Sequence, residues 1–275
     1  MATQLSGIHA IADAFDAFLI DQVGVLHDGR AAYLGAAAAL RRLRAAGAPI
    51  AIVSNSGKRA APNRRRLLDF GFDGAAIDEV VTSGECARAT LESWLNAGRL
   101  RPGAGVMLFS RDGDTALIDG LDLRPCADPD EVGLLVIAGA RPDEVSFDAY
   151  ARAMQSLAAR GVPALCANPD QRIFARGAVA FGPGALAEHY ARQGGAVSWI
   201  GKPDPAIFHR ALADVGGPEA GRTLVIGDSP AHDGDGAARA GCPWLFVRGG
   251  VYANTAMAGG EAPVSARFTI ATFTW

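Results

Sequence analysis

The sequence predicts an α/β protein in two parts, a parallel-sheet core with a second α/β block inserted into it. Three observations carry this expectation. Short apolar runs end in polar turn clusters, as where Phe18-Leu19-Ile20 meets Asp21. Stretches rich in alanine, leucine and arginine, the strongest helix formers, lie between such runs. The block from Gly84 to about Ala196 repeats this alternation and is long enough to be a domain of its own.

The first strand ends at Asp21 and is followed by Gly24, Val25, Leu26 and the turn His27-Asp28-Gly29. A short apolar run bounded by turn residues reads as a strand buried on both faces, and in an open parallel sheet its carboxyl end is where ligands bind. Leu34 to Ala46 reads as a helix capped by Gly47, and Pro49 to Val53 as a second strand, ending in Ser54-Asn55-Ser56-Gly57-Lys58. Strand, helix and strand make a βαβ unit with parallel strands and a right-handed crossover. Asp21 and Ser54 therefore become neighbours on one sheet edge. Pro62 to Asp69 is expected to be a helix and Val80 to Ser83 a third strand. The inserted block is read as a helix at Cys86 to Leu95, apolar runs at Val106 to Phe109 and Leu134 to Ala138, a helix at Ser146 to Ala159 and a strand at Pro163 to Ala167. Beyond it come a strand and loop from Ser198 to Pro205, a helix at Ile207 to Asp214, and a strand at Thr223 to Ile226 that ends in Gly227-Asp228-Ser229-Pro230-Ala231-His232-Asp233. A helix at Gly236 to Ala240, a strand at Trp244 to Val247 and an alternating tail, Phe268 to Trp275, expected as an edge strand, complete the chain. The expected division is a Rossmann-like three-layer core, residues 1–83 and 197–275, with 84–196 as the insert.

Composition narrows the class. The chain has 275 residues, 49% of them hydrophobic, enough to bury a substantial core. Twenty-six basic against 29 acidic residues give a net charge of -3, and the densest basic cluster is Arg64-Arg65-Arg66. That argues against a nucleic-acid partner. Cys86, Cys126, Cys166 and Cys242 are far apart and form no metal-binding pair, which fits reduced thiols of a cytosolic protein. The N-terminal stretch lacks a basic start and a long apolar core, so no secretory signal is read, and the apolar run at Leu134 to Ala140 is too short to span a bilayer. A cytoplasmic protein without a membrane partner is expected, and nothing marks a homo-oligomer.

Three polar clusters follow apolar strands directly: Asp21, Ser54-Asn55, and Asp228 with Asp233, and Lys202 lies in a Gly-Lys-Pro loop between the last two. Each alone is ordinary turn or capping chemistry. Together they bring carboxylates, a hydroxyl and one cation to a single sheet edge. Clustered carboxylates repel unless a cation joins them, and hard oxygen ligands suit Mg²⁺. A lysine and a hydroxyl beside that metal suit a phosphoryl group. Asp21 would then attack phosphorus and form an aspartyl-phosphate that water hydrolyses.

The ordered set D-x-x-G-V-L, strand-S-N, G-K-P and G-D-x-x-x-x-D resembles the haloacid dehalogenase superfamily, specifically its phosphatase branch with an α/β cap between the second and third motifs. The resemblance covers almost the whole chain. It implies that Asp21 is the nucleophile and a Mg²⁺ ligand, with the backbone carbonyl of Val23 as another ligand. It makes Ser54 and the amide of Asn55 phosphoryl binders, and Lys202 the neutralising cation. Asp228 would bind the metal, and Asp233 would hold metal-bound water or orient Lys202. Asn168-Pro169-Asp170 resembles a segment held near the substrate, so Asn168 and Asp170 are candidate substrate contacts. The implied partner is a small phosphorylated metabolite, and cap closure would exclude water.

One position departs from the pattern. Phosphatases of this superfamily carry D-x-D, the second aspartate serving as general acid, whereas here the triplet is Asp21-Gln22-Val23. Three explanations compete. His27 or His232 supplies the proton; the substrate has a good leaving group or the phosphoryl group passes to an acceptor; or the chain has become a phosphate-ligand binding or regulatory protein. Keeping Asp21, Lys202, Asp228 and Asp233 together argues against complete decay.

Overall fold

A computed structural model of the chain describes residues 2–175, 178–250 and 265–275. The chain opens with β1 (Thr3–Gln4) and β2 (Ala17–Ile20), then α1 (Ala36–Ala45), β3 (Ile50–Ser54), α2 (Ala60–Asp69) and β4 (Glu79–Thr82). Its middle supplies α3 (Ser83–Asn96), β5 (Ala104–Phe109), β6 (Leu123–Pro125), β7 (Val132–Ile137), α4 (Phe147–Ala159), β8 (Ala164–Cys166), β9 (Arg172–Ala175), β10 (Ala178–Phe181), α5 (Pro183–Arg192) and β11 (Val197–Trp199). It closes with α6 (Pro205–Asp214), β12 (Thr223–Gly227), α7 (Asp235–Ala240), β13 (Trp244–Val247) and β14 (Phe268–Ile270). These elements form two compact units, one of Met1–Ser54, Ala61–Val81 and Lys202–Trp275, the other of Asn55–Ala60 and Thr82–Gly201.

The first unit is built on a seven-stranded sheet in the order β1-β14-β13-β12-β2-β3-β4. β2 lies inside it, parallel to β12 on one side and β3 on the other. All four residues of β2 are fully buried, which is why this strand reads as an unbroken apolar run rather than an alternation. Helix α1 turns Ala36, Ala39, Leu40 and Leu43 inward, the three-and-four spacing of an amphipathic helix. Helix α6 packs on β2 and β3, with Phe208 fully buried. Its start lies two residues before the expected one because Asp204 caps it, accepting from Ala206 N at 2.9 Å, and Pro205 is suited to the first helical turn.

The expectation for the tail needs correcting. β14 is not an edge strand: it sits between β13 and β1, and the short β1 forms the edge. Two polar N-terminal residues carry too little pattern to be read as a strand, so the edge was invisible in the sequence.

The second unit contains a five-stranded parallel sheet in the order β11-β8-β7-β5-β6 and the antiparallel hairpin β9–β10. Successive residues of its strands serve opposite faces. Leu135 and Ile137 pack with Met154 and Leu157 of α4 and Leu186 and Tyr190 of α5. Leu134 and Val136 pack with Ala87 and Leu91 of α3. This period of two yields a helix–sheet–helix sandwich. Val197–Trp199, expected at the start of the returning core segment, instead pairs with β8 in this sheet. Helix α5 and the hairpin were not anticipated. Gly182-Pro183-Gly184 reads as a turn signal, yet Pro183 occupies the first turn of α5. Among the described residues no helix is long and apolar enough to cross a membrane.

Candidate active site

Asp21 follows β2 directly, and its backbone N–H still donates to Ile226 O of β12 at 2.8 Å, which fixes the residue at the carboxyl end of the sheet. The chain then turns sharply: Leu26 N and His27 N both donate to Gln22 O, at 3.0 and 3.3 Å. Gly24 lies in this turn at φ +98, and a Cβ there would stand 2.3 Å from Asp228 Oδ2. A side chain at this position is excluded both by conformation and by space. Asp228, at the end of β12, is also backed by Gly250, whose Cβ would lie 2.1 Å from the same oxygen. Asp233 belongs to a single widened helical turn, Pro230–Gly234, and its Oδ2 accepts from Ser229 N at 3.0 Å. Such widened turns are frequent at functional sites.

Lys202 ties the cluster together. Its Nζ donates to Asp21 Oδ1 at 2.5 Å, to Asp233 Oδ1 at 2.7 Å and to Val53 O of β3 at 3.2 Å. All four charged groups are buried, and carboxylate oxygens of Asp21, Asp228 and Asp233 lie within 4.8 Å of one another. Three carboxylates against one ammonium leave a formal charge of 1 − 3 = −2 in a poorly solvated place. A divalent cation with hard-oxygen preference fits that donor set in charge and chemistry. Burial pushes the Asp21 carboxyl up, to about 7, with Asp233 adding to the rise and Lys202 opposing it. For Lys202 burial works against the charged form, but Asp21 and Asp233 outweigh it and hold the ammonium protonated.

The other sequence candidates distribute as follows. Ser54 is buried at the carboxyl end of β3, beside the carbonyl that receives Lys202. Asn55 begins the second unit, where its Nδ2 donates to Asp170 Oδ1 at 2.9 Å and its Oδ1 accepts from Ser83 Oγ at 3.3 Å. Asn168 turns its Oδ1 back onto Asp170 N at 2.9 Å, an Asx turn that shapes the loop after β8. Gly201 closes this group: with φ +116, a Cβ would stand 2.0 Å from Ser83 Oγ and 2.8 Å from Asn55 Oδ1. The structure thus joins Asp21, Lys202, Asp228 and Asp233 in one unit, and Asn55, Asn168 and Asp170 in the other.

His27 does not suit the proton-donor role that the sequence left open. Its ring is fully buried, edge-on to Phe70 at 4.9 Å between centroids, and burial lowers its pKa to about 4. It is neutral near neutral pH, with Nδ1 accepting from Gly29 N at 2.9 Å and Nε2 buried without a partner among the described residues. Its turn context suggested a solvated ring, whereas the ring is buried and packs against Phe70, distant in sequence. His232 is half-buried, and its backbone N–H donates to Ser229 Oγ at 3.3 Å. Val23 is partly buried, and its side chain carries no proton. Two residues escaped the sequence reading. Gln22 is buried, and neither of its amide atoms has a partner among the described residues. Tyr33, half-buried, has its phenol pushed up to about 12 by burial and by the nearby charges of Asp228 and Asp28.

Residues 18–124 match a family described as haloacid dehalogenase-like hydrolase, and residues 199–272 match one described as HAD-hydrolase-like. The chain is 31% identical over 242 residues to haloacid dehalogenase-like hydrolase domain-containing protein 2 of Bos taurus, covering 87% of this chain and 86% of the relative. Among solved structures, a haloacid dehalogenase-like hydrolase of Brucella suis 1330 superposes with a TM-score of 0.86 at 29% identity, over 98% of this chain and all of that one. The glycerol phosphate phosphatase of Mycobacterium tuberculosis, solved in complex with magnesium, superposes with a TM-score of 0.70 at 28% identity, over 96% of this chain and 77% of that one.

Proposed function

Because this chain belongs to the haloacid dehalogenase-like hydrolase family, we propose that it is a Mg²⁺-dependent phosphohydrolase that works through an aspartyl-phosphate on a small phosphorylated metabolite with a good leaving group. The observation that carries this reading is the buried carboxylate of Asp21, 2.5 Å from Lys202 Nζ and grouped with Asp228 and Asp233. Asp21, Asp228, the carbonyl of Val23 and, through water, Asp233 would hold the metal. Bound there, the ion offsets the negative charge of the cluster and of the incoming phosphate. The magnesium complex of the Mycobacterium tuberculosis relative supports this choice of ion.

In the reaction, an Asp21 carboxylate oxygen forms a bond to phosphorus while the bond from phosphorus to the leaving oxygen breaks. Lys202 neutralises charge on the nucleophile and the phosphoryl oxygens, and the Ser54 hydroxyl with the amide of Asn55 would bind those oxygens. Water then attacks phosphorus, releasing inorganic phosphate and regenerating the carboxylate. Burial raises the Asp21 pKa, and Lys202, together with a metal ion if bound, would oppose that rise and keep the attacking carboxylate ionised.

Val23 narrows the substrate. With no acid two residues after the nucleophile, the departing oxygen takes its proton from water. General acid catalysis is typically worth roughly 10²- to 10⁴-fold, and it matters most for alkyl esters and least for acyl or aryl phosphates. The expected order of turnover is acetyl phosphate and p-nitrophenyl phosphate above glycerol 3-phosphate. We also take the second unit to select the substrate, with Asn168 and Asp170 as candidate contacts.

The test is phosphate release with Mg²⁺ across that series for the native protein and for Asp21→Asn. Loss of at least roughly 10³-fold with every active substrate is expected on removal of a nucleophile. Release that survives Asp21→Asn, or that occurs with none of the substrates, would sink the proposal.

A further inference from the structure

The five-stranded sheet of the second unit has a topology with its own consequence. From β5 the chain steps to β6 at one edge, then crosses to β7 and continues outward through β8 and β11, so the connections diverge between β5 and β7. Ligands of open parallel sheets bind beyond the carboxyl ends of the strands at such a switch point, and the strand order here is the 2-1-3-4-5 arrangement for which that holds. Three loops meet there. A Cβ on Gly57 would stand 1.9 Å from Ala138 O, after β7, and one on Gly139 would stand 2.8 Å from the backbone N of Arg111, after β5.

These loops carry Lys58, Arg111 and Arg141, and the two guanidinium groups are incompletely used. Arg111 approaches Asp143 no closer than 3.9 Å, an ion pair too long for a hydrogen bond. Arg141 donates through one terminal nitrogen to Glu144 at 3.0 Å, while its Nε is buried with no acceptor among the described residues. Asp112, which pairs with Lys58 at 3.3 Å, is 72% exposed and sits in the left-handed region at φ 59. Exposed pairs of this kind contribute little and give way to a better acceptor. Among the described residues the three cations lie beside Asp112, Asp143 and Glu144, so recognition here depends on donor geometry rather than on surplus charge.

We propose that this crevice is an anion-binding site, in which Arg111 and Arg141 grip the two oxygens of a carboxylate or phosphate group with Lys58 beside them. A planar guanidinium presents paired donors that match such a group, which a lysine alone does not. The anion is a separate small metabolite that carries such a group.

Protection from an arginine reagent tests the site without any turnover, so its outcome is separate from that of the phosphohydrolase reading. The full-length protein is treated with phenylglyoxal at rising malonate or inorganic phosphate, and mass spectrometry follows each arginine. Arg111 and Arg141 should be protected saturably, about tenfold when the probe stands at ten times its Kd. Arg124, exposed on β6, should not be protected, and Arg141→Gln should abolish protection of Arg111. Absent or non-saturable protection, or equal protection of Arg124, would overturn the proposal.

Discussion

Val23 stands two residues after Asp21, where a carboxylic acid would have a proton to give. Val23→Asp is expected to raise turnover of glycerol 3-phosphate by roughly 10²-fold while changing acetyl phosphate little, as general acid catalysis requires. Equal effects on both substrates would refute the missing-acid argument. Gly24 supports the same turn from the other side. Gly24→Ala must place a Cβ against Asp228 at a φ of +98, so a fall in Tm and loss of the Mg²⁺ response are expected together in a thermal scan with and without the ion. The clustering of Asp21, Lys202, Asp228 and Asp233 was legible because each follows a strand or sits in a short motif. That Lys202 bonds to both Asp21 and Asp233 follows from the parallel sheet, which collects residues 181 and 31 positions from it. The burial of His27 was not legible, because contacts such as that with Phe70 come from residues distant in sequence.

At the scale of elements, the strands that carry the site were the easiest to read, since burial on both faces leaves an unbroken apolar run before a polar end. Trp244–Val247 has the predicted bounds, and the third strand and the helix after it differ by a few residues for a local reason. Thr82 was not recognised as a cap: its Oγ1 accepts from Glu85 N at 3.0 Å and donates to Lys58 O at 2.8 Å, so the helix begins at Ser83. Thr82→Ala should therefore cost about 1–2 kcal/mol, measured by urea denaturation. An unchanged midpoint would show that the cap contributes nothing. The Asn55–Asp170 hydrogen bond spans 115 positions and has no local signature, so Asn55 read only as a phosphate ligand.

At the scale of the whole molecule, alternation of strands and helices indicated the α/β class, because each element must bury one face against the next layer. The order of strands was less accessible. That β14 lies inside its sheet and β11 belongs to the second depends on long-range pairing that periodicity does not encode. Metal binding should be visible as a property of the entire fold. Asp21 has its folded pKa raised to about 7, above its ordinary value, so without metal its contribution is fully present below pH about 4 and is lost as pH rises through 7. Mg²⁺ needs the ionised carboxylate and stabilises the folded state by binding it. The gain in Tm on adding Mg²⁺ should consequently be larger at pH 8 than at pH 6, and a gain that is equal or smaller at pH 8 would contradict the assignment of Asp21 as a ligand. The central claim, that Asp21 accepts the phosphoryl group, is tested most directly by acid-quenching the protein during turnover of acetyl phosphate with Mg²⁺ and mapping the adduct by mass spectrometry. A phosphoryl adduct on the peptide containing Asp21, formed and lost at rates compatible with turnover and absent from Asp21→Asn, is the predicted result. Steady phosphate release with no adduct at Asp21, or with the adduct on another residue, would contradict it.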